Sequence, residues 1–122
     1  MREATILRAE ERMDGGPPRD GMRAHPVADR HDDLAMAPVI YEYAPGARIP
    51  RPATTDGTQH FLFVVRGTVE MVLDGGDEPL RLGAGDSAYC GEQPVTEVRN
   101  AGDGHALVVW VSSPPTAGPG RT

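Results

Sequence analysis

Few side chains in this sequence could do chemistry, and the best of them sit in one stretch, Asp56-Gly-Thr-Gln-His-Phe-Leu-Phe-Val-Val-Arg-Gly67. His60 comes first. A neutral imidazole gives or takes a proton near pH 7, so a histidine at the mouth of an apolar run is a candidate general acid or base. Its plainer role is a ring hydrogen-bonded to a neighbour such as Thr96 or Tyr41, since most buried polar groups are simply satisfied. Asp56, four residues earlier, is the second catalytic candidate, although an aspartate before a glycine also forms turns. Cys90 is the only cysteine, and in Ser87-Ala-Tyr-Cys90 it reads as an inert small packer rather than a nucleophile. No Ser-His-Asp or Cys-His set is declared by spacing. Gly83-Ala-Gly-Asp86 lacks the lysine and following helix of a phosphate loop and reads as a turn.

The element that must position His60 is a strand. Side chains alternate across a pleat, so His60, Leu62 and Val64 share one face while Phe61, Phe63 and Val65 share the other. Both faces are apolar beyond His60, which predicts a central strand whose outer side must be covered by another sheet or by a partner, and a homodimer is expected. Gly67 breaks the run before Thr68-Val-Glu-Met-Val-Leu73, predicting a bend between consecutive strands of one curved sheet. The inward set Tyr41, Leu62 and Val64 is expected to line a mostly apolar ligand cavity around His60.

The rest of the chain supports an all-β domain. Its 122 residues suit one core, and Gly 15 with Pro 12 favours short strands and tight turns over long helices. Thr5-Ile-Leu-Arg8 could be an edge strand, and residues 14–37, polar and proline-bearing, read as a long connection with His25 and His31 in solvent. Strands are predicted at Pro38–Tyr43, Pro79–Leu82, Ser87–Cys90, Val95–Arg99 and Ala106–Val111, with a turn at Asp74–Glu78 and a disordered tail over 113–122. Eight to ten evenly spaced strands make a closed barrel or jelly roll. A net charge of -6 opposes partners in nucleic acid or an anionic membrane. No window approaches the roughly 18 apolar residues of a membrane span, and the start, Met-Arg-Glu-Ala-Thr, lacks the apolar core of a secretion signal, so a cytoplasmic location is expected.

Over residues 38–112 the sequence resembles the cupins, small double-stranded β-helix barrels. Pro45-Gly46 matches the opening of their first motif and Val64-Val-Arg-Gly67 its end. Leu82-Gly-Ala-Gly-Asp86 matches the start of the second motif, Pro94 its middle and Asn100 its end. Within the family the stretch 57–67, with Ile6–Arg12, looks most like the sensor half of helix-turn-helix/cupin bacterial regulators. The resemblance implies a homodimer and a small organic ligand inside the barrel. It also locates the family's metal ligands, which aligned on Gly67 fall on Thr54, Asp56 and His60, and aligned on Asn100 fall on Thr96. Such a set implies no tightly held metal, at most a weak divalent ion at Asp56 and His60. Thr54 and Thr96 join the expected ligand-binding residues by the same alignment. The expected function is small-molecule binding, with non-redox acid/base chemistry (isomerisation, cyclisation or lyase type) through His60 and Asp56. A non-catalytic sensor or carrier is the alternative, and a metal-dependent enzyme the second alternative.

Overall fold

The computed structural model describes Arg8 and residues 20–26, 36–50, 59–75, 78–91 and 95–113. These residues form nine strands and no helix. They are β1 (Met22–Pro26), β2 (Ala37–Tyr43), β3 (Arg48–Pro50), β4 (Gln59–Arg66), β5 (Thr68–Leu73), β6 (Leu80–Gly83), β7 (Ser87–Cys90), β8 (Val95–Asn100) and β9 (Ala106–Ser113). Two antiparallel sheets result, one of five strands in the order β1-β2-β9-β4-β7 and one of four in the order β3-β8-β5-β6. The expected all-β jelly roll is the observed architecture.

Alternation decides which side chains the two sheets enclose. On β4, His60, Leu62 and Val64 are buried while Phe61, Phe63 and Val65 are exposed. On β9, Ala106, Val108, Trp110 and Ser112 are buried in the same rhythm. The four-stranded sheet answers with Ile49, Val69, Met71, Leu82, Val95 and Val98, which join Tyr41, Tyr43, Leu62, Val64, Val108 and Trp110 in one core. Leu62, fully enclosed, contributes about 1.5–3 kcal/mol by leaving water.

Gly67 is the corner of the barrel rather than a bend within one sheet. It carries the chain from β4 in the five-stranded sheet to β5 in the four-stranded one, at a φ of 87°. Its missing side chain lets the backbone lie against β9, where a Cβ would stand 2.9 Å from the Ala106 Cα. A second tie crosses between the sheets at Asn100. Its side-chain amide donates to the carbonyls of Tyr43, Ala44 and Gly104 and its oxygen accepts from the Gly102 N–H.

Two readings of the N-terminal part change. Inside the stretch 14–37, Met22–Pro26 is a strand, paired antiparallel along the whole of its length with Val39–Tyr43 of β2. Its sequence shows no alternation, and what makes it a strand is the free edge of β2 beside it. His25 is accordingly half-buried, its Nε2 3.8 Å from the Glu42 carboxylate, and not in solvent. The expected strand at Thr5–Arg8 apart from Arg8 itself, His31, the connection 51–58 and the tail beyond Ser113 lie outside the described residues.

Candidate functional site

The registers of the five-stranded sheet stack its inward side chains into rows. Ala37, Ser112, His60 and Cys90 form one row across β2, β9, β4 and β7. Val39, Trp110, Leu62 and Ala88 form the next, and Tyr41, Val108 and Val64 the third. His60 is thus a polar group set into an apolar surface, and it is 4 % exposed. A polar ring in such a place must be hydrogen-bonded to be tolerated.

Its partners come from β9. The Trp110 indole Nε1 donates to His60 Nδ1 at 3.0 Å, and the Ser112 hydroxyl lies 3.0 Å from the same nitrogen. The two rings meet edge to face, with centroids 5.6 Å apart and planes at 69°, and Tyr41 makes a second edge contact with the indole at 6.0 Å. Aromatic pairs favour this geometry, because ring edges are positive and faces negative. His60 is therefore held from two sides on a stiff aromatic bed.

The partners named from sequence, Thr96 and Tyr41, are not the ones that bond Nδ1. Thr96 sits at a bulge of β8 opposite Val72 and Leu73, half-buried, and its hydroxyl donates to the Val72 carbonyl at 3.1 Å. Tyr41, Leu62 and Val64 lie on the inner face with His60, as alternation requires. Thr54 and Asp56 lie outside the described residues. Ser112 lies one residue past the strand end expected at Val111. Continuing the alternation of Ala106, Val108 and Trp110 by one step puts a serine on the inner face, which is the signal that could have found it. Tyr89 is 64 % exposed and donates to the Gln59 side-chain oxygen at 2.8 Å.

Cys90 stands opposite His60 on the neighbouring strand, a juxtaposition that spacing did not declare. Burial pushes its thiol up from the ordinary value, so it stays protonated and unreactive at neutral pH. The row holds no activated nucleophile of that kind.

Among the described residues, no three His, Cys, Asp or Glu side chains converge where a metal ion could sit. The one family ligand position filled by a nitrogen ligand, His60, does not fit a metal as it is held. A histidine that binds a metal ordinarily gives its other ring N–H to an oxygen acceptor. Here Nδ1 receives the indole N–H, so the proton of the neutral ring belongs on Nε2, and neither nitrogen offers a free lone pair to a cation.

The fold and this site together define a small jelly-roll barrel with His60 set into a mostly apolar inner wall. A family model described as "Cupin domain" matches residues 39–112. The chain belongs to the cupin family. Among solved structures it is similar to the cupin domain of an XRE-family transcriptional regulator from Enterobacter cloacae, at 20% identity and a TM-score of 0.69, over 79% of this chain and 99% of that one. KdgF from a Halomonas species is similar at 23% identity and a TM-score of 0.70, over 92% and 94% of the two chains. The polyketide cyclase RemF from Streptomyces resistomycificus is similar at 12% identity and a TM-score of 0.70, over 91% and 80%. At these identities the likeness is one of fold. No curated protein matches the sequence. Among the described residues no helix is long and apolar enough to cross a membrane.

Proposed function

We propose that this cupin is a cytoplasmic binder of a small organic molecule, taken up against the inner face of the five-stranded sheet beside His60. The observation that carries this reading is the buried imidazole of His60, fixed by Trp110 and Ser112 among Tyr41, Leu62 and Val64. Ligand sites are mostly apolar with a few well-held polar anchors, and this wall has that make-up. Thr54, Asp56 and Thr96 complete the proposed ligand contacts. Binding is favoured over turnover because the Nδ1 lone pair, which a general base would use, already accepts from the indole.

A non-redox isomerase, cyclase or lyase using His60 and Asp56 is the second reading. It draws support from the defined pose of a titratable ring, and from a fold shared with a protein described as a polyketide cyclase. Native mass spectrometry of freshly purified protein, followed by a thermal-shift panel of small polar and aromatic metabolites, tests the binding reading. A copurified or stabilising small molecule is expected, with its affinity changed by His60→Gln. Protein that arrives bare and is stabilised by nothing in the panel overturns it. A His60→Gln variant that binds within a few fold but turns its ligand over roughly 100-fold more slowly moves the catalytic reading to the front.

A further inference from the structure

We infer that Trp110 is a positioning residue that decides the chemistry of His60, holding the ring as the Nε2–H tautomer and so keeping it a hydrogen-bond donor instead of a metal ligand. An indole N–H can only donate, whereas a hydroxyl both donates and accepts. Ser112, 3.0 Å from Nδ1, would tolerate a proton on that nitrogen by accepting it. Trp110, at the same distance, would not, because two N–H groups would then point at one another. The indole cannot turn away. It is 2 % exposed, wedged between Leu62 and Val39 on the neighbouring strands and held edge-on by Tyr41. The lock therefore sits in the core of the fold and not in a surface contact.

This goes beyond ligand binding and holds whichever small molecule the barrel takes. A divalent ion at Nε2 needs the proton moved to Nδ1, into the face of the indole N–H. Tryptophan at this register position is thus enough to set the barrel against metal binding, independently of Thr54 and Thr96 at two of the family's ligand positions. Removing the indole donor while keeping an aromatic ring should reverse the preference, since Ser112 can then accept from Nδ1–H and Nε2 is then the unprotonated nitrogen.

Nitrogen-15 NMR of histidine-labelled protein reads the tautomer directly, with His60 assigned by its loss in His60→Gln. The wild type is expected to show a protonated Nε2 and an unprotonated Nδ1. Ser112→Ala should leave that pattern unchanged, whereas Trp110→Phe should shift the ring toward the Nδ1–H form. Zinc alone, added to one equivalent, should leave the wild-type His60 resonances in place and move those of Trp110→Phe. The variant's zinc affinity should rise about 10-fold or more, the usual size of a change in a ligand's hydrogen-bond partner. A wild-type ring protonated at Nδ1, or one that zinc shifts as readily as it shifts Trp110→Phe, overturns the inference. Should Trp110→Phe fail to fold, the wild-type and Ser112→Ala spectra still decide it: a tautomer that changes on loss of the serine assigns the lock to Ser112 and not to Trp110.

Discussion

Replacing Gly67 with alanine tests how closely the two sheets are drawn together at their corner. The added Cβ would stand 2.9 Å from the Ala106 Cα and 3.0 Å from both the Ala106 Cβ and the His105 carbonyl oxygen. None of these atoms ends a flexible side chain, so backbone must move. The cost has two parts. A positive φ of 87° costs an alanine about 1–2 kcal/mol, and the forced contact adds about 1–3 kcal/mol of overpacking. Gly46 separates them, because its φ is 79° and a Cβ there meets nothing within 4 Å. Urea unfolding followed by circular dichroism is the assay, with a denaturant slope of about 2 kcal/mol per molar for a chain of this size. On that slope Gly46→Ala should lower the midpoint by about 0.5–1 M and Gly67→Ala by about 1–2.5 M. Equal shifts in the two variants would refute the close contact between Gly67 and β9.

The outer faces of the two sheets differ, and each supports a prediction. Phe61, Phe63 and Val65 are exposed side by side on β4, next to Val109 and Val111 of β9, whereas the four-stranded sheet turns Arg48, Arg99, Glu97, Glu70 and Arg81 outward. The apolar face is the one proposed to cover itself with a second copy, so sedimentation at micromolar concentration should show a dimer in wild type and a monomer in Phe63→Glu; a monomeric wild type rejects this. On the charged face, hydrogen bonds from Arg99 and then Arg48 hold the Glu97 carboxyl below its ordinary value of 4.5. A depressed value stabilises the fold above the ordinary one and is lost as the pH falls through the depressed one, so Glu97→Gln should lose less stability than wild type on acidification below pH 4.5. The difference should shrink in high salt because the pair is solvent-facing, and parallel acid limbs in the two proteins would contradict it.

What could be read from the chain beforehand followed the period of its side chains. The strand around Phe61–Val65 is legible because five apolar residues in a row leave only the parity of His60 to decide its face, and His60 is buried with Leu62 and Val64. The turn at Gly83–Asp86 is legible because Asp86 can accept from the Gly83 N–H three residues back, which it does at 2.8 Å. The partnership of His60 was not legible, since it depends on which residue of β9 falls opposite which residue of β4, a register set by the whole sheet. β1 was missed for a related reason. Nothing in Met-Arg-Ala-His-Pro favours a strand until β2 offers it an edge. Thr96 was placed by family alignment, and the bulge that turns its hydroxyl to Val72 is a local irregularity that an alignment does not carry.

The position of β9 bears on how the molecule is made. It lies between β2 and β4, pairing residue 37 with residue 112 and residue 59 with residue 113, so the central strand of the larger sheet is also the last of the nine in chain order. A nascent chain that has reached residue 105 holds β2 and β4 with no strand to join them, and each then presents an open edge bearing apolar residues. Neither Trp110 nor Ser112 has yet been added, and His60 waits without either of these partners. Completion of the larger sheet therefore waits for its last strand, and the vulnerable interval falls before that strand emerges and not after it.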